Sequence, residues 1–394
     1  MRTPHIRFVV GGSLAVALSV GGAIIGAQAP PPGEVPGAVK GYTAPRTPWG
    51  DPDLQGIWPG IELVGVPMTR QASFGTRNWL TDEEFKARQD SAERRALLDL
   101  EEFDVETADV SNAGAVGSPT SPPPHWLERG TPQRIASLLV DPLDGQMPPT
   151  TEAYRQAQQA RNKEAQTRRA SLQGREADSY IDRSLYDRCI TRGIAGSFLP
   201  VIYNNGNEIV QGPGWVALRN EMIHETRIVP LDGRPKLDDD ITQWMGDSRG
   251  RWDGDTLVVE TTNFNERTSG IGVNGGGTRG TRAMKVTERI TRIGPELLVW
   301  DMTFEDSNVW TRPWTIRLPL ELDNSYLMAE YACHEGNYAM FNILSGSRED
   351  EKRQAEAAAK GLPDPLQQPG GRGGRGGRGG RAGGGGAGRG APPQ

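Results

Sequence analysis

Two imidazoles and two carboxylates, His224, Glu288, Glu330 and His334, stand in a β-rich stretch at positions where apolar residues would be expected to face inward. A histidine and a carboxylate enclosed together lose water and perturb each other, which brings both toward proton transfer near neutral pH. General acid–base catalysis by these four residues is the chemistry they point to. A buried polar network, in which they only satisfy one another, is the competing arrangement.

Other chemistries are less well supported. His224-Glu225 and His334-Glu335 lie outside H-E-x-x-H, and no Cys or His cluster has zinc spacing, so the residues assign no metal and name no cofactor. Convergence of His224, His334 and Glu330 would still offer a two-histidine, one-carboxylate site. Gly246-Asp247-Ser248-Arg249-Gly250 fits G-x-S-x-G, with His334 downstream as a hydrolase triad would require. That elbow needs a helix after the serine, whereas here a second strand pattern follows, so a polar strand with Asp247 and Arg249 paired locally is expected. Trp surfaces suit sugars, phenolics or terpenoid-like molecules. Asn220, Trp244, Arg249, Trp252, Trp300 and Trp314 are accordingly the expected ligand-binding residues.

The elements that would position these groups are read from alternation, because successive strand side chains face opposite ways. Taking Val216–Ile228 as one strand puts Val216, Leu218, Asn220, Met222, His224, Thr226 and Ile228 on the drier face, with Arg219, Glu221, Glu225 and Arg227 opposite. In Met284–Arg292, Glu288 shares the inward face with Met284, Val286 and Ile290, while Arg289 points to water. In Leu327–Gly336, Glu330 and His334 share a face with Met328 and Ala332. Gly212-Pro213-Gly214, Asp253-Gly254 and Gly294-Pro295-Glu296 are turns between such segments. Short turns make antiparallel neighbours, and eight or nine strands can close around one small ligand. The expected fold is mainly β with helical additions: an antiparallel up-and-down β-barrel clad by N-terminal helices.

Residues 1–29 carry Arg2 and Arg7, an apolar run and Ala27-Gln28-Ala29, the pattern of a secretory signal peptide. Residues 30–47 form a linker and 48–197 an N-terminal strand and helical segment. The barrel core is placed at 198–346, a C-terminal helix at 347–361 and a disordered Arg-Gly-rich tail at 362–394. Within the helical segment, Thr81-Asp82-Glu83-Glu84 is a capping box opening a helix to about Phe103. A Ser/Pro loop follows over Ser111–Pro124, then a short strand at Leu138–Val140. Thr151 caps a helix to about Leu172, and a further helical stretch covers Ala177–Cys189. The last helix is expected over Arg348–Lys360.

Removing Arg2, Arg7 and the five tail arginines from the formal net charge of −6 leaves −13 for residues 30–368, so nucleic acid is not an expected partner of the folded part. A small-molecule ligand or substrate is. A membrane is a partner only if the N-terminal segment stays uncleaved, and the sequence does not specify the oligomeric state. A periplasmic or extracellular location would let Cys189 and Cys333 form one disulfide, with a catalytic thiol pair as the rival.

The motifs Gly246-Asp247-Ser248-Arg249-Gly250-Arg251-Trp252, Thr261-Thr262-Asn263-Phe264, Trp310-Thr311-Arg312-Pro313-Trp314 and Ala332-Cys333-His334-Glu335-Gly336-Asn337 resemble those of a large family of uncharacterised secreted bacterial proteins. So do Cys189-Ile190-Thr191-Arg192-Gly193 and Glu221-Met222-Ile223-His224. The resemblance covers most of residues 48–346 and implies kinship without supplying a mechanism. Gly56-Ile57-Trp58 is similar to the Gly-x-Trp at the first strand of lipocalin-like, calycin-type barrels, from which the helical insert Thr81–Cys189 departs. The expected function is acid–base enzymology, as a lyase, isomerase or hydrolase, on a small organic or carbohydrate substrate. The alternative is a non-catalytic lipocalin-like carrier for an apolar or aromatic ligand.

Overall fold

The computed structural model describes residues 35–99, 127–171, 179–265, 267, 269–272, 277–335 and 337–365. Among the described residues ten strands run in chain order: β1 (Gly56–Ile57), β2 (Leu139–Asp141), β3 (Asn207–Gly212), β4 (Trp215–Asn220), β5 (Thr226–Pro230), β6 (Asp247–Asp253), β7 (Thr256–Thr262), β8 (Lys285–Gly294), β9 (Leu297–Glu305) and β10 (Trp314–Glu321). Four helices accompany them among the same residues: α1 (Asp82–Asp99), α2 (Glu152–Ser171), the single turn α3 (Gly193–Gly196) and α4 (Tyr338–Ala359). The strands form two antiparallel sheets, one ordered β1-β3-β4-β5 and the other β2-β10-β9-β8-β7-β6.

Each expected hairpin forms where its turn chemistry allows it. β3 and β4 meet across Pro213 and Gly214, β6 and β7 across Gly254 and Asp255, and β8 and β9 across Pro295 and Glu296. The inner faces of both sheets bury one shared apolar cluster, in which Ile209, Val216, Leu218 and Val229 of the four-stranded sheet join Leu257, Val286, Ile290, Trp300, Met302 and Leu318 of the other. Burying this surface is the main driving force for joining the sheets. On the outer side of β9 and β10, Arg317 reaches both oxygens of Asp301 at 2.7 and 2.8 Å, and the Thr303 and Thr315 hydroxyls bond at 2.8 Å.

Of the helices, α3 places Ile194 and Ala195 in this core, and the three longer ones contribute little to it. The capping box is present in α1: Thr81 Oγ1 accepts from the Glu84 amide at 3.3 Å, and Glu84 Oε2 accepts from the Thr81 amide at 2.8 Å. Arg88 of α1 donates to the Gln133 and Ile135 carbonyls, which ties the helix to the loop before β2. α4 starts earlier than expected, because Asn337 Oδ1 caps the Met340 amide and opens the helix ahead of Arg348.

Three expectations fail, for physical reasons. Val216–Ile228 is not one strand: a 3-10 turn at Met222–His224 interrupts it, with Ile223 at φ 56° and His224 at φ 45°. Two successive left-handed residues reverse the chain and reset its alternation. Arg227 therefore turns inward, at 8 % exposure, while Ile228 faces water at 58 %. Leu327–Gly336 is irregular in its described residues, and the described part of Ala177–Cys189 holds only a 3-10 turn at Tyr180–Asp182. The Ser/Pro loop, the signal-like segment and the Arg-Gly tail lie outside the described residues.

Candidate active site

The irregular segments flanking the four-stranded sheet gather beside its β3–β4 end. Cys189 and Cys333 are bonded to each other, with 5.6 Å between their Cα atoms, so the segment leading to α3 is fastened to the segment after β10. The same two segments meet a third at three phenols. The Tyr186 hydroxyl lies 2.9 Å from that of Tyr203 and 3.0 Å from that of Tyr331. The rings share a small apolar cluster with Val201, Met222 and Ile223.

Behind these phenols lies Arg192. Its guanidinium carbon sits 4.6 Å from the centre of the Tyr186 ring, and the residue has no solvent exposure. None of its three side-chain nitrogens has a hydrogen-bond partner among the described residues. Buried guanidinium groups are ordinarily paired, because an uncompensated charge in a dry environment is costly. The stack on Tyr186 offsets part of that cost. Gly193 follows at φ 79°, and a Cβ there would come within 2.9 Å of the Ser269 Cβ, so the chain needs glycine to turn away from Arg192 at this point.

Burial raises the pKa of all three phenols, that of Tyr203 to about 12, against a smaller opposing pull from Arg192. They are therefore protonated donors at neutral pH. Three hydroxyls carry three protons and their two mutual contacts use two, which leaves one O–H free to donate elsewhere. An unpaired cation beside a free phenolic donor is an arrangement suited to an oxyanion.

Two groups on the β4–β5 turn can accept protons. His224 Nδ1 lies 2.8 Å from the Tyr331 carbonyl oxygen. A carbonyl can only accept, so Nδ1 carries a proton and Nε2 is the ring nitrogen left to act as a base. Beside it, the Glu225 carboxylate accepts from Thr191 Oγ1 at 2.6 Å and lies 3.5 Å from Ser197 Oγ. Burial pushes its pKa up, against the hydroxyl of Thr191 and the charge of Arg227. A carboxyl raised in this way is one that can exchange a proton nearer neutral pH, and the phenols held protonated by burial are of the opposite kind, as acid–base chemistry needs.

Backbone strain collects in the same place. Five described non-glycine residues have positive φ, and four of them, Cys189, Asn204, Ile223 and His224, belong to these segments. For β-branched Ile223 the conformation is especially unfavourable. Nearby, Glu221 holds the surrounding loops in position by accepting from Tyr326 Oη, the Gly206 amide and the Ala329 amide at 2.7, 3.0 and 2.7 Å.

The four expected catalytic residues do not converge inside the sheets. Glu288 is inward as expected, but both its oxygens are taken by Arg227, at 2.6 and 2.8 Å, and Oε1 also accepts from Trp300 Nε1 at 3.0 Å. His224 belongs instead to the surface turn just described. Glu330 and His334 are exposed on the irregular segment around the disulfide. Among the described residues no three His, Cys, Asp or Glu side chains gather as a metal-ligand set, so the arrangement of His224, Glu330 and His334 considered for a metal does not form.

The expected ligand contacts are also dispersed. Trp300 packs on Phe198 and Trp314 on Phe304, both inside the core. Asn220 donates to Asn207 Oδ1 at 2.7 Å, and Trp252 packs half-buried against the core. Trp244 is half-buried in the loop before β6. Arg249 pairs with Asp247 at 2.5 Å, the local pairing expected of a polar strand, and Ser248 bonds Thr261 at 2.9 Å in the β6–β7 hairpin where a nucleophile elbow would need a helix.

Sequence reasoning missed Arg192, Tyr186, Tyr203, Tyr331 and Glu225. Arg192-Gly193 within the Cys189-Ile190-Thr191-Arg192-Gly193 motif was the available signal, but no periodicity marks a residue in an irregular segment. No protein family, no curated protein and no solved structure matches this chain, so the reading of this site rests on its own geometry.

Proposed function

We propose that this protein is a secreted enzyme that performs acid–base chemistry, as a lyase, isomerase or hydrolase, on a small organic or carbohydrate substrate. The observation that carries the reading is the fully buried guanidinium of Arg192, unpaired among the described residues and stacked on Tyr186, the middle of three hydrogen-bonded phenols. In this scheme Arg192 and one tyrosine hydroxyl take up negative charge as it develops on a substrate oxygen. The base is Glu225 or His224 Nε2. Glu330 and His334, on the disulfide-bound segment, contribute at most to the rim.

Secretion to the periplasm or the cell exterior belongs to the same proposal. It is supported by the Cys189–Cys333 bridge and by the signal-like N-terminal sequence. Among the described residues no helix is long and apolar enough to cross a membrane. Membership of the family of secreted bacterial proteins is likewise proposed on the motifs alone. We further read the two sheets as the walls of a calycin-like up-and-down barrel. Three features support this: the sheets share one core, a Cβ at Gly250 of β6 would lie 2.8 Å from Val229 of β5, and the Asp323 amide just past β10 donates to the Ile57 carbonyl of β1 at 2.9 Å.

The test is solvent exchange. The full-length protein is incubated in deuterated buffer with a panel of carbonyl compounds, hydroxy acids and glycosides, and deuterium incorporation and product formation are followed by NMR. Turnover that is lost in Glu225→Gln or His224→Gln, with folding intact, supports the enzyme. Binding of a panel member without exchange or product would replace the enzyme with a carrier.

A further inference from the structure

We infer that Arg192 is the receptor for the carboxylate of a small, flat, unsaturated monocarboxylic acid, seated beneath the hydroxyls of Tyr186, Tyr203 and Tyr331. This names the substrate class of the site proposed above and rests on that reading, the oxygen on which charge develops being one of the carboxylate's own.

The chemistry of the cluster selects the ligand. Arg192 is the one cation that acts on the three phenols among the described residues, so the charge it balances is a single negative one. A guanidinium offers parallel N–H donors in a planar fork that fits a carboxylate at two points. The free phenolic proton adds a third donor. The tyrosine rings pack with Val201, Met222 and Ile223 in one apolar cluster, and such a surface favours a flat unsaturated body over a strongly hydrated one.

Access requires no rearrangement of a sheet. Tyr203 and Tyr331 are half-buried, and both sit in segments without regular secondary structure. Rotation of a phenol is the motion by which the ligand would reach Arg192. The fold also gains little from Arg192 in the unliganded protein, since its nitrogens bond nothing described and removing a buried unpaired charge relieves a desolvation cost.

Benzoate is the probe and benzamide its neutral control, each titrated at constant ionic strength into the full-length protein while thermal unfolding is followed. The expected result is a saturable rise in Tm with benzoate and none with benzamide, because a ligand that binds only the folded state stabilises it. Arg192→Met should abolish the benzoate response while unfolding no lower than the parent. Tyr186→Phe, which keeps the charge but loses the central hydroxyl, should weaken benzoate binding by about tenfold. Equal responses to both probes, no response to benzoate, or an Arg192→Met protein that is less stable or fails to fold would overturn the inference and make Arg192 a structural strut. Benzoate binding without turnover of any panel compound leaves the receptor standing and removes the enzyme. Turnover of uncharged substrates with no benzoate effect does the reverse.

Discussion

Arg227 on β5 grips Glu288 on β8 through both terminal nitrogens, at 2.6 and 2.8 Å, and the pair joins the two sheets at a point almost closed to water. Its geometry makes Glu288 a fastener, with its lone pairs committed to Arg227 and Trp300. Breaking such a pair from one side strands a buried charge. Arg227→Met or Glu288→Leu alone should therefore cost about 3–5 kcal/mol, and the double variant should recover most of that loss. Urea unfolding of the three variants checks it. A Glu288→Leu protein as stable as the parent would show that the ion pair does not hold the sheets together.

The disulfide fastens the candidate site more than the core, since Cys189 and Cys333 both lie in irregular segments and 144 positions separate them. Replacing both with serine should destabilise the protein by about 2–5 kcal/mol. The change should also be local. Amide hydrogen exchange is expected to rise first around Tyr331 and Tyr186, while β8 and β9 keep their protection. Uniform loss of protection across the sheets would contradict this division.

Legibility followed regularity. The hairpins at Gly214, Gly254 and Pro295 could be read because glycine admits the positive φ of a turn and proline fixes φ where one begins, and Glu288 could be placed inward because β8 alternates without a break. The same rule misled at Val216–Ile228, where nothing in the residue types of Ile223 and His224 announces a left-handed turn. One such turn inverted the faces of everything after it, so Arg227 was read as outward and His224 as part of the interior. The site itself was nearly invisible, because Tyr186, Arg192, Tyr203 and Tyr331 come from segments with neither strand nor helix period and are brought together by a long-range bridge.

Glu225 ties stability to pH with a definite sign. Its folded-state pKa lies above the ordinary carboxylate value, chiefly through burial, so between the unfolded and folded pKa values the native protein holds a proton that the unfolded chain has lost. Stability from this group is complete below the unfolded value and declines as pH rises through the folded one. Glu225→Gln stays neutral throughout and should flatten that decline. Denaturation midpoints taken across the mildly acidic range for parent and variant will show it, and parallel curves would mean that Glu225 is not the group responsible.

His224 separates backbone strain from chemistry. Its φ of 45° is one that glycine adopts freely and a β-branched residue resists, whereas its imidazole is the only part that can exchange a proton. His224→Gly should hold stability within about 1 kcal/mol of the parent, because relief of strain offsets the lost bond to the Tyr331 carbonyl and the added freedom of the unfolded chain. His224→Val, forced into the same conformation, should lose about 2 kcal/mol or more. Both should lack turnover in the deuterium-exchange assay. If His224→Gly keeps full turnover, the imidazole is not the base, and Glu225 is left to take the proton alone.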